Sequence, residues 1–137
     1  MENNVDIQTK QVVKQFGQKQ HFNAQTEGTW LQKGAEYIRY EEDVEDAHVN
    51  VTLKIEEAGV KIIRKGDINM KLHFIEGQET TTLYEMSAGR IPLTVKTQSI
   101  KHYVTDQGGK LKVQYQLFQA DEKMGTYQYE IQYKEKE

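Results

Sequence analysis

Arg64 shares its parity with Val60, Ile62, Ile68, Met70 and Leu72, a run in which nearly every second residue is apolar. Burying a guanidinium on such a face is costly unless a carboxylate or an anionic ligand meets it. Its donors form a planar fork that suits a carboxylate or a phosphate. The chemistry suggested is capture of a small molecule, apolar or anionic, rather than the making or breaking of a bond. Within Tyr37-Ile38-Arg39-Tyr40-Glu41-Glu42, the residues Tyr37, Arg39 and Glu41 share one parity and, with Tyr84, complete the candidate ligand-binding set. The same alternation also allows Ile38 and Tyr40 to face inward instead. Glu41 and Glu85 are candidate counter-charges for Arg64. A structural network of ion pairs and tyrosine hydrogen bonds inside a filled interior accounts for the same residues without a ligand.

Other chemistries have weaker signals. His21, His48, His73 and His102 show no metal-ligand spacing and lie on separate segments, so no metal site is expected. Acidic residues gather beside turns, at Glu41-Glu42-Asp43, Glu45-Asp46, Glu56-Glu57 and Asp121-Glu122, where solvation is the default. Ser87 and Ser99 are the only serines, and neither has a nucleophile-elbow context. Gly108-Gly109 lacks the helix and lysine of a phosphate loop. No catalytic motif and no cofactor is expected. Net charge is −3, and the lysines near the eight tyrosines are interspersed with acids, so neither a nucleic-acid field nor a base-stacking platform is expected.

The elements that must position these groups are strands. Val49 to Ile55 alternates apolar and polar residues without a break, the period of a half-buried strand. The same period runs through Val5 to Val13, Phe22 to Trp30, Thr80 to Met86, Ile91 to Thr97, Leu111 to Leu117 and Tyr127 to Tyr133. Gly28 reads as a bulge or bend. From Val60 to Phe74 the parity holds across Gly66, which predicts one long strand or one that bends there without losing register. Pro92, the sole proline, belongs at a strand start or a sheet edge. Turn signals recur every ten to twelve residues or so, giving eight to ten strands. Short turns imply an up-and-down order, and closure hides the edges, so the expected fold is a single closed or nearly closed antiparallel β-barrel. The 137 residues form one domain, 1–137, with mobile ends at 1–4 and 134–137.

Taken in order, Tyr37-Ile-Arg-Tyr-Glu-Glu42, Thr52-Leu-Lys-Ile55, Ile63-Arg-Lys-Gly66, Phe74, Gly77, Thr82 with Tyr84, and Tyr115-Gln-Leu117 resemble the YwiB-like family of small bacterial proteins. The resemblance spans about Val5 to Ile131. It implies a lipocalin-like, calycin-type barrel and a bacterial protein of unknown function. It implies no reaction, so it transfers no catalytic residue.

The chain has no cysteine, no apolar run long enough to cross a bilayer, and no basic and apolar leader at its start. A cytoplasmic protein without membrane association is expected. The leading expectation is a non-catalytic binding protein with a ligand in the barrel mouth. The alternative is a structural or interaction module with a filled barrel, acting through its surface or as a homodimer.

Overall fold

Alternating side chains can bury one face only if that face meets another layer, and here the sheet supplies the second layer by rolling onto itself. A computed structural model describes residues 2–44, 46–86 and 88–136. Glu45 of the acidic loop, Ser87, and the terminal Met1 and Glu137 lie outside the described residues. Ten strands follow in chain order: β1 (Glu2–Gln15), β2 (Gln18–Lys33), β3 (Ala35–Val44), β4 (Ala47–Ile55), β5 (Val60–Gly66), β6 (Met70–Phe74), β7 (Glu79–Met86), β8 (Gly89–Thr105), β9 (Gly108–Gln119) and β10 (Glu122–Glu135). The hydrogen-bonded order is β6-β5-β4-β3-β2-β1-β10-β9-β8-β7, with every pairing antiparallel.

This is the expected up-and-down barrel, nearly closed. The remaining seam lies between β6 and β7. One backbone bridge, Asn69 to Glu85, crosses it. Two threonine hydroxyls also span it: Thr80 donates to the His73 carbonyl and Thr82 to the Lys71 carbonyl. The ends expected to be mobile are paired where described. Asn3 and Asn4 face Trp30 and Thr29, and Lys134 and Glu135 face Gly108 and Val5.

The path from residue 60 to residue 74 differs from expectation. The chain neither runs straight nor merely bends at Gly66. It reverses, and β5 pairs with β6 from Val60↔Phe74 to Arg64↔Met70. Because this hairpin sets residues of equal parity opposite one another, both arms still present the predicted residues to the same face. Gly66 takes a φ of 137°, open to glycine at little cost, where the chain leaves β5.

Val5, Ile7, Trp30, Ile38, Leu53, Ile62, Leu72, Phe74, Val95, Leu111, Val113 and Ile131 fill the middle of the barrel, each no more than 1% exposed. Gly28 is neither a bulge nor a register shift. It is a point of close approach: a Cβ there would stand 2.1 Å from the Arg39 carbonyl oxygen and 2.7 Å from Ile7 Cδ1. Pro92 occurs early in β8, opposite Leu83 of β7 and before β8 begins to pair with β9 at Thr94, so its missing N–H breaks no ladder. Phe22, where the alternation that runs to Trp30 begins, is 53% exposed. Its parity matches that of Trp30, but β2 pairs with β3 only from Gly28 to Lys33, so no opposing layer covers Phe22.

Candidate functional site

The even positions of β3 point inward. Ile38 and Tyr40 are buried, whereas the Arg39 and Glu41 side chains are 52% and 70% exposed. This corrects the assignment of Tyr37, Arg39 and Glu41 to an interior site. Trp30 and Leu53, the strand partners of Ile38, are buried, and the apolar contact they offer outweighs any benefit from turning charge inward. Arg39 stands 3.9 Å from Glu2 and 6.0 Å from the Tyr37 ring, and Lys54 also approaches that ring. Glu41 is 3.8 Å from His48. These groups form a solvated outer face.

Arg64 does face inward. It is flanked by Val51 of β4 and Met70 of β6. The residue is partly accessible, yet its head group is deep enough for desolvation to be the largest influence on it. That influence disfavours the charge, and Tyr40, Glu42, Tyr115 and Tyr129 more than offset it, so the net shift is upward. Of these four, Glu42 is the only carboxylic residue. Among the described residues no carboxylate oxygen comes within 4.0 Å of the guanidinium; of the two expected counter-charges, Glu41 lies on the outer face and Glu85 bridges Asn69 through its backbone. Glu42 Oε2 is buried and accepts no hydrogen bond.

Phenols surround this head group. Tyr40 and Tyr129 share a 2.6 Å hydroxyl contact. Burial pushes Tyr40 and Tyr115 up to about 12 and Tyr129 well above its ordinary value. Tyr115 stacks on Tyr127 at 5.3 Å and lies against Phe74 at 4.6 Å. Tyr84 is half-buried beside the core, and the Asn69–Glu85 bridge brings it next to Met70, the partner of Arg64. At this end β2 and β3 part company: residues 18–27 of β2 and 41–44 of β3 do not pair with each other. The two strands are therefore not joined by a ladder beside Glu42.

The opposite end carries a polar cluster that sequence reasoning missed. Glu36 Oε1 accepts hydrogen bonds from Trp30 Nε1 and from the Tyr133 hydroxyl, each at 2.9 Å. His102 Nε2 lies 3.2 Å from Glu36 Oε2 and 3.0 Å from the Tyr133 hydroxyl. Burial, then the Glu36 carboxylate, pushes the Tyr133 phenol far up. Glu36 and His102 border a cleft of about 400 Å³ completed by Gln32 to Ala35 and Ile55 to Glu57. The parity of Glu36 with Ile38 was a readable signal for it. For His102 there was none, because a bulge between Thr97 and Ser99 shifts the face on which it falls. The carboxylate is already occupied by protein donors, so this cluster caps the barrel.

His48 and His73 stand apart from both clusters. His48 bonds Asp43 at 2.8 Å, and that hydrogen bond raises its pKa. Desolvation, then Lys61, lowers that of His73. Among the described residues no group of three or more metal-ligating side chains converges, and no helix is long and apolar enough to cross a membrane.

A family model described as Domain of unknown function (DUF1934) matches residues 7–131, and the chain belongs to that family. The chain is 25% identical over 130 residues to the uncharacterized beta-barrel protein YwiB of Bacillus subtilis (strain 168), covering 94% of this chain and 92% of that one. The crystal structure of ywiB protein from Bacillus subtilis superposes with a TM-score of 0.89 at 23% identity, covering 99% of this chain and 94% of that one. That likeness shows a shared fold.

Proposed function

We propose that this member of the DUF1934 family is a cytoplasmic, non-catalytic binding protein that holds a small molecule at the Arg64 end of its barrel. The anionic group of the ligand, a carboxylate or a phosphate, lies against the Arg64 fork, and its apolar part lies against Tyr115, Tyr84 and Met70. The observation that carries this reading is the pairing of an inward guanidinium lacking a direct carboxylate contact with a buried Glu42 oxygen lacking a donor. A hydroxyl or ammonium beside the anionic group would supply that donor, so hydroxy acids and amino acids fit better than simple fatty acids. Mouths of β-barrels are recurrent ligand sites, which also suits the calycin-type barrel that the family resemblance implies. The filled middle of the barrel restricts the ligand to the mouth.

Thermal-shift screening and calorimetry with small carboxylates and phosphates test this reading. A hit should weaken at least tenfold or so in Arg64→Met, the loss of one charge-assisted hydrogen bond or more. Equal affinity in the variant would overturn it. The second reading, an interaction module with a filled barrel, is favoured by the burial of Trp30, Leu53 and Phe74, each no more than 1% exposed.

A further inference from the structure

We propose that residues 18–27 of β2 are the contact between two copies of this chain, joined edge to edge as an antiparallel, two-fold symmetric pair. Among the described residues no strand pairs with the outer side of β2 beyond Gly28, while its inner side stays paired with β1 all the way to Gln15↔Gln18. Every second residue of this ten-residue stretch therefore offers its backbone donor and acceptor to solvent. A free edge of this length is a template for another strand unless it is guarded. The guards are few: no proline, no bulge, and Lys19 and Glu27 as the only charges in Gln18-Lys19-Gln20-His21-Phe22-Asn23-Ala24-Gln25-Thr26-Glu27.

The register of the pair follows from the hairpin. Phe16 and Gly17, with φ of 51° and 75°, form a two-residue turn closed by Gln15 and Gln18. The closing pair of such a turn is hydrogen-bonded, and bonded pairs alternate along the ladder. Even residues of β2 therefore bond β1, and odd residues from Lys19 to Glu27 aim their N–H and C=O groups outward. An antiparallel copy centred on Asn23 uses those odd positions. It sets Lys19 opposite the partner's Glu27, and Glu27 opposite the partner's Lys19. His21 meets the partner's Gln25. On the other face the exposed ring of Phe22 covers the partner's Ala24. Shifting the centre by one residue in either direction keeps odd positions opposite odd but separates both charge pairs. The charges thus select a single self-complementary register, as an isologous interface requires. Glu27 bonds Lys136 of its own chain at 2.5 Å but remains 69% exposed and reachable.

The test is sedimentation velocity on the full chain from about 1 to about 200 μM, a range that brackets weak edge contacts. The wild type should pass from monomer to dimer. Lys19→Glu should weaken the dimer about tenfold, since two attractive cross-strand pairs become repulsive. The exchange Lys19→Glu with Glu27→Lys should restore it. Asn23→Pro, which removes an outward N–H and no intrachain ladder bond, should give a monomer that melts like the wild type. A wild type monomeric throughout, a dimer indifferent to Lys19→Glu or Asn23→Pro, or an exchange that fails to restore association would each overturn the proposal.

Discussion

Replacing Glu36 with leucine should destabilise the protein by an amount the structure lets us bound. The carboxylate accepts from Trp30 Nε1 and from the Tyr133 hydroxyl, and those residues are 1% and 2% exposed. A buried donor left without an acceptor costs about 1–3 kcal/mol, toward the upper end where the lost partner is ionised. The Tyr133 hydroxyl can turn to His102 Nε2, 3.0 Å away, so its loss is largely made good. The Trp30 indole has no such alternative among its bonds. The leucine side chain regains part of the loss through its own burial. The net expectation is about 1–2 kcal/mol. For a chain of this length, 137 residues, that lowers Tm by about 3–7 °C. Trp30 is the only tryptophan, so urea unfolding followed by its fluorescence reports from the perturbed site itself. Glu57→Leu, at an exposed acid on the same cleft, serves as the control and should stay within about 0.5 kcal/mol. A Glu36→Leu midpoint no further from wild type than this control would refute the assignment of Glu36 as the hub of that barrel end.

Two further outcomes are expected. Tyr40 and Tyr115 are held neutral by burial up to about 12, against about 10 in the unfolded chain. Their contribution is complete below the unfolded value and is lost as pH rises from there through the folded one. Absorbance titration at alkaline pH should show these phenols ionising together with unfolding, and an early, non-cooperative titration of all tyrosines would contradict the burial. Gly28→Ala should cost about 2 kcal/mol or more, because its Cβ would collide with the Arg39 carbonyl rather than with a movable side chain. A fully stable variant would show that β2 and β3 are less closely apposed.

Strand positions and faces were legible because period two survives whatever route the chain takes. Leu111 to Leu117 and Tyr127 to Tyr133 alternate inward without interruption, as read. The face of Arg64 was legible even though the path around it was not. A hairpin pairing equal parities cannot be told from a continuous strand by alternation alone, so the turn at Asp67 to Asn69 stayed hidden. Tyr37 to Glu42 was ambiguous for a different reason: tyrosines occupy both parities there. Only the buried neighbours Trp30, Val51 and Leu53 settle which one faces inward. His102 lay beyond reach because one bulged residue inverts the face of everything after it. The exposure of Phe22 depends on where β2 and β3 separate, which no local pattern encodes.

We place a guest molecule at the Arg64 end of the barrel. Native mass spectrometry of wild type and Arg64→Met, each purified from the protein's own host under gentle ionisation, tests this most directly. The wild type should carry an additional small mass that the variant lacks. Two bare proteins, or two proteins carrying the same adduct in equal measure, would contradict it.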